Sequence, residues 1–169
     1  MSEGKRRIAI SLIVIALVVA LDQLSKLWIR TNLTPGESLP QTGFLRLTYV
    51  TNTGSAFGLL ANQTFLLIAI TIACVLIILL FFRFISQASV LSSTALGLIL
   101  GGATGNLIDR LRLGYVTDFV DVRLWGNFHW PAFNLADTAI VVGIITLIYF
   151  LYHSGLFKRV YEHNREIKK

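Results

Sequence analysis

Four stretches of this chain are apolar enough and long enough to cross a bilayer, and nothing else in it limits the fold as strongly. A spanning helix needs about 20 mostly apolar residues. Residues 63–82 and 138–157 meet that length directly, and a third run, placed at 88–108, lies in the uncharged stretch Phe84–Ile108. The first run, Ile8–Leu21, has only 14 uncharged residues. The helical pattern continues through Asp22 and Lys26 to Ile29, which completes a span over 8–29. Inside hydrocarbon the main chain must satisfy its own hydrogen bonds, so these runs are read as helices. Only 14% of the residues are charged, against about a quarter in a soluble domain. One membrane-embedded domain over residues 1–169 is expected. Lys5, Arg6 and Arg7 before an apolar run also suit a signal peptide. No small-x-small cleavage site follows, only Asp22, Gln23, Leu24, Ser25 and Lys26, so the first span is read as retained.

Charge sets the orientation. An even number of spans puts both termini on one side. That side carries Lys5, Arg6, Arg7, Arg83, Lys158, Arg159, Arg165, Lys168 and Lys169. The other carries Lys26, Arg30, Arg46, Arg110, Arg112 and Arg123. Nine basic residues against six place the termini in the cytoplasm. The net charge of +6 flanks apolar runs rather than forming one basic face, which argues against nucleic acid as a partner. All five aspartates, Asp22, Asp109, Asp118, Asp121 and Asp137, then fall at the outer side.

Two segments lie outside. In the first, about 30–62, Phe44–Thr51 is rich in β-branched and aromatic residues and reads as a strand, followed by the polar turn "NTGSAFG". The second, 109–136, contains Tyr115, Trp125, Phe128 and Trp130, residue types that suit the bilayer interface.

Asp118 and Asp137 are the candidates for chemistry. The ordinary roles are a solvated loop acid for Asp118 and a helix N-cap for Asp137. The third and fourth spans are sequential, and their joined outer ends can bring the two carboxylates together. Two close carboxylates share one proton, so one acts as base on a water and the other as acid, the requirement for aspartic-protease hydrolysis. Intramembrane acids also serve proton relays and helix pairing. In "GGATGNLIDR", Gly101 and Gly105 form a close-packing pattern. Asn106 and Arg110 offer donors for a carbonyl or a headgroup, and Asp109 and Arg110 can equally pair with other helix ends. Asp22 and Lys26 stand at i and i+4. They form either an ion pair that lets the first span finish or a strut for a site. Asn52 is a turn residue or a site donor, and Asn134 can cap or brace Asp137. Cys74 excludes a disulfide framework and reads as a small buried or lipid-facing residue. His129, His153 and His163 are scattered and give no metal-ligand spacing. Ser55 does not sit in a nucleophile elbow.

Five motifs taken together, "LDQLSK", "NTGSAFG", "GGATGNLIDR", "GYVTDFVDV" and "FNLADTAI", resemble in order and spacing those of bacterial lipoprotein signal peptidase, or signal peptidase II. The resemblance covers roughly 21–140. It implies an inner-membrane aspartyl endopeptidase that cuts diacylglyceryl-modified prolipoproteins just before the lipidated cysteine. Asp118 and Asp137 fall on the family's catalytic pair. Asn52, Asn106, Asp109, Arg110 and Asn134 match the polar residues around it, and Asp22 and Lys26 match paired positions on the first helix. Asp121 is expected to be non-catalytic. The implied fold is mainly α, four transmembrane helices with a small extracytoplasmic β-cradle and a short amphipathic helix. No metal or cofactor is implied, the partners are the lipidated substrate and membrane lipids, and a monomer is the expected state. The alternative from another class is a small four-helix proton-coupled transporter, which would hold its key acid within the bilayer and could do without the outer segments. An assembly subunit docking through Gly101 and Gly105 would tolerate loss of either aspartate. A lipid phosphatase would need histidine and arginine clusters that the chain lacks.

Overall fold

The computed structural model describes residues 2–54, 60–86, 88–126 and 128–154. Ser55, His163 and the basic residues from Lys158 onward lie outside them. The chain is mainly helical, with four helices apolar enough and long enough to span a membrane. They are α1 (Glu3–Asn32), α2 (Thr64–Ser86), α3 (Val90–Leu113) and α4 (Leu135–His153). Four strands lie between them in sequence: β1 (Ser38–Leu39), β2 (Leu45–Asn52), β3 (Val116–Trp125) and β4 (Phe128–Phe133). The expected short amphipathic helix has no counterpart among the described residues.

Each helix differs from its expected span at the ends. α1 adds a turn at either end of 8–29, and α3 runs beyond 108 to Leu113. Asp109 and Arg110 are therefore helical residues rather than loop residues. A capping box at Ser89 starts α3, its side chain accepting from the Ser92 N–H, and Gly114 ends it in the left-handed region at φ +81°. α4 begins at Leu135, three residues before its expected start, because Asn134 caps it.

α3 is the centre of the bundle, packed against each of the other three helices. Gly97, Gly101 and Gly105 form one stripe on α3, four residues apart, and α1 lies directly on it. A Cβ at Gly101 would sit 2.8 Å from the Val18 Cβ, and one at Gly105 would sit 2.5 Å from Asp22 Oδ2. A hydroxyl bond from Ser11 to the Ser93 carbonyl (2.8 Å) closes the far end of this contact. Gly102 plays the same part towards α4, where a Cβ would run into the Ala136 carbonyl. The outward faces of α1, α2 and α4 expose Leu17, Leu24, Phe65, Leu80, Ile145 and Ile148, the dress of a lipid-facing surface.

Because its obstacle is main chain, Gly102→Ala must push α4 off α3. Such overpacking costs about 1–3 kcal/mol. The expected outcome is a lower unfolding midpoint in detergent. Wild-type stability in this variant would show that the contact yields freely.

The sheet is wholly antiparallel in the order β1-β2-β3-β4 and sits at the end of the bundle where α1 and α3 finish. Register shifts break both the β2–β3 and the β3–β4 ladders. Tyr49 and Phe119 from the sheet bury against Ile29 and Leu33 at the end of α1, with Leu47 and Val120 alongside. β2 matches the expected strand at 44–51 to within a residue. β3 and β4 occupy the segment read only as interfacial.

Candidate active site

The site is built where β2, β3, α3 and α4 meet. Asp118 lies near the start of β3, 2% exposed. Its Oδ2 accepts from Asn52 Nδ2 (2.9 Å), at the end of β2, and its Oδ1 accepts from Asn134 Nδ2 (2.7 Å). The Asn52 carbonyl oxygen is itself occupied by the Gly54 N–H (2.9 Å), which leaves its amide nitrogen aimed at Asp118. Asp137 lies in the first turn of α4. Its Oδ1 accepts from Asn106 Nδ2 (2.8 Å) and its Oδ2 from the Asn134 N–H (3.1 Å). The N-cap is thus Asn134, not Asp137. Asp137 is the reciprocal partner of the capping box, and its own N–H donates to Asn134 Oδ1 (2.9 Å).

Asn134 consequently holds both acids, one by its side chain and one by its main chain. Both line a cavity of about 960 Å³, with Asn52, Asn106 and Arg110 on the same wall. Arg110 donates to the Gly54 carbonyl (3.1 Å). Burial pushes the Asp118 carboxyl up to about 7, and the charge of Asp137 pushes the same way, against the hydrogen bonds of Asn52 and Asn134 and the charge of Lys26.

Behind the acids lies a buried charged cluster. Lys26 is fully buried, and its ammonium reaches Asn106 Oδ1 (2.8 Å), Asp22 Oδ2 (2.9 Å) and Asp109 Oδ2 (3.4 Å). Three donors meet three acceptors. With its oxygen turned to Lys26, Asn106 must turn its amide nitrogen to Asp137. Asp109 also accepts from the Thr117 N–H (3.0 Å) and Gln23 Nε2 (3.2 Å), and Arg30 stands 3.6 Å away. Asp22 Oδ1 takes the Ala136 N–H (3.0 Å). In "LDQLSK", Asp22 and Lys26 thus form an ion pair, and through Asn106, Asp109 and the Ala136 N–H the pair is bonded to α3 and α4.

Sequence reasoning passed over Gln23, Arg30 and Thr117. For Arg30 a signal existed, since Asp22, Lys26 and Arg30 recur every four residues on one helical face. Gln23 and Thr117 carry none.

Asp121 lies elsewhere. An odd separation on one strand turns it to the face opposite Asp118. It accepts from Arg46 Nε (3.0 Å), Thr48 Oγ1 (2.8 Å) and His129 Nδ1 (2.7 Å). Burial alone would raise its carboxyl, but the hydrogen bonds of His129, Thr48 and Arg46 outweigh that and hold it below the usual range. His129 is committed to this cluster and does not line the cavity. No three His, Cys, Asp or Glu side chains converge as metal ligands among the described residues.

A second cavity of about 560 Å³ runs between α2, α3 and α4. Its walls are almost wholly apolar, and it shares Asn106, Arg110 and Ile140 with the first. Cys74, a free thiol exposed on α2, lines it.

The profile of the signal peptidase (SPase) II family matches residues 14–153. A lipoprotein signal peptidase of Moorella thermoacetica is 53% identical over 141 residues, 83% of this chain and 91% of that protein. One from Syntrophotalea carbinolica is 45% identical over 151 residues, 87% and 93% of the two chains. Among solved structures, a bacterial membrane enzyme determined in meso at 2.3 Å superposes with a TM-score of 0.77 at 33% identity, over 85% of this chain and 87% of that one. Another, at 1.9 Å, gives 0.74 at 34% identity over 83% and 91%.

Proposed function

This chain belongs to the signal peptidase II family, and from that premise we propose that it removes the signal peptide from diacylglyceryl-modified prolipoproteins, cutting just before the lipidated cysteine, with Asp118 and Asp137 as its catalytic pair. The observation that carries this reading is the double grip of Asn134 on both carboxylates at the wall of one cavity. The apolar second cavity supports it, because it offers a bilayer-depth path for a signal helix that ends at Asn106 and Arg110.

Asp118 carries the shared proton and Asp137 takes one from a water lying between them. The water oxygen attacks the scissile carbonyl carbon while Asp118 protonates the carbonyl oxygen. The tetrahedral species then collapses: one hydroxyl returns its proton to Asp118 as the C=O bond re-forms, the C–N bond breaks, and the amine leaves with the proton Asp137 received. Arg110 steadies the substrate carbonyl or headgroup, and Asn52, Asn106 and Asn134 hold the carboxylates at one geometry. Asp109, Asp22 and Lys26 support that frame. The protein acts as a single domain and a monomer, needs no cofactor, and lies in the inner membrane with both termini cytoplasmic. Its site then faces outward, at the depth where the acyl chains hold the cysteine.

The test is incubation of purified protein in detergent with a diacylglyceryl-modified prolipoprotein peptide, EDTA present, and mass analysis of the products. Cleavage immediately before the lipidated cysteine is expected. An intact peptide with folded protein would sink the reading and favour the proton-coupled transporter.

The pH profile follows from Asp118. Its carboxyl stands above the ordinary carboxylate value, so the proton is present below about 7 and lost above it. Cleavage should fall above that point by about tenfold per pH unit, as expected for one required proton on the coupled pair. A flat profile from about pH 6 to about pH 9 would remove Asp118 as the acid.

A further inference from the structure

β4 is the last strand of the sheet, so one of its edges has no strand beside it among the described residues. The register shows which residues turn their main chain to that edge. The Arg123 N–H donates to the Phe44 carbonyl (2.8 Å), so Arg123 faces β2 and its neighbour Val122 faces β4. Val122 is paired with Trp130. Trp130 thus faces inward, and His129 and Pro131 on either side of it face outward. Pro131 agrees, because a proline within a sheet sits with its absent N–H on an open edge. That edge presents the His129 N–H and carbonyl and the Pro131 carbonyl, which no described main-chain group takes up.

The same edge borders the cavity of the two aspartates. A strand seen face-on lends alternate residues to a wall. Here four in succession, Trp130 to Phe133, line the cavity, because the register shift opposite Asp121 adds a residue to β4, and Pro131, whose carbonyl lies on the open edge, is among them. From Asn134 the strand leads away from α4 for about 17 Å, at ~3.3 Å per residue. His129 is fixed in register through Asp121 to Arg46.

We propose that the substrate segment on the mature side of the scissile bond binds in extended form along this edge, as a fifth strand paired to the main chain of His129 and Pro131. The proposal rests on the peptidase reading above. Direction selects the mature side: the signal helix occupies the bilayer, and β4 leads outward from the site. Strand addition is held by main-chain bonds. The edge therefore accepts mature segments of differing side chains, provided they can extend.

The test replaces the amide N–H by an ester oxygen at each residue after the lipidated cysteine in turn. Loss of one such bond costs about three- to tenfold in kcat/KM. The expected pattern is losses at alternate positions, with the positions between unaffected. A second arm compares His129→Ala, which loses the bond to Asp121 but keeps the edge N–H, with His129→Pro, which loses both. Proline should raise KM by about a further threefold or more at equal kcat, with matched unfolding temperatures. If both variants misfold, the ester scan decides alone. A scan without alternation, with the unmodified peptide still cut in an Asp118-dependent way, overturns strand addition and leaves the peptidase reading intact. Failure to cut the unmodified peptide overturns both.

Discussion

Asp118→Asn and Asp137→Asn should each lower kcat for prolipoprotein cleavage by about a thousandfold or more. Positioned acid–base groups contribute about 10²–10⁴. Each acid here depends on the other, so the double variant should be little worse than either single one. Asp121→Asn should stay within a few-fold of wild type, because its partners Arg46, Thr48 and His129 belong to the other face of the sheet. Folding can be monitored in the same preparations. The raised Asp118 pKa means that the wild type is favoured by low pH and loses that stability as pH rises through about 7. Asp118→Asn should abolish this slope, so melts near pH 5 and near pH 8 should differ less than those of wild type. Folded Asp118→Asn that still cuts at the wild-type rate would end the dyad mechanism. Equal loss in Asp121→Asn would move the chemistry to the opposite face of the sheet.

Lys26→Met should be the most destabilising of simple substitutions. Lys26 is fully buried between Asp22, Asp109 and the Asn106 oxygen. Removing it strands two buried carboxylates without their main cation, a change that costs about 3–5 kcal/mol. Activity should fall as well, since the 3.1 Å bond from Asn134 Nδ2 would then be left without Lys26 to keep the Asn106 oxygen away from Asp137. Adding Asp22→Asn to Lys26→Met should recover part of the stability, and the resulting cycle measures the pair directly. The Arg7–Glu3 pair is a useful contrast. With Glu3 mostly exposed, Glu3→Gln should change stability by less than about 1 kcal/mol. A Lys26→Met protein as stable as wild type in a denaturant titration would show that water or a protonated acid relieves the cluster.

The four helices were legible because bilayer length and main-chain satisfaction leave few options for an apolar run of about 20 residues. Their ends were less so. A cap such as Asn134 depends on local backbone geometry that hydropathy does not report. The strands of the second outer segment were hidden for separate reasons. Register shifts interrupt the alternation of β3 and β4, Pro131 argues against a strand, and the aromatic residues already had a reading at the interface. Asn52, Asn106 and Asn134 were legible as polar residues near Asp118 and Asp137, but which carboxylate each one bonds was not. Lys26 and Asn106 are 80 residues apart, Asn52 and Asp118 are 66 apart, and only packing joins them. Asp121 shows the reverse case: three residues from Asp118, it serves a different cluster because a strand turns its neighbours to opposite faces.

β4 ends at Phe133 and α4 begins at Leu135, so a single residue separates sheet from bundle. That residue, Asn134, is also the splice on which the two acids are mounted. Here there is no linker to lengthen. An insertion at this joint would uncap α4, release Asp118 and turn Asp137 away in one stroke. Any redesign of specificity must therefore work through the cavity walls and leave the joint untouched.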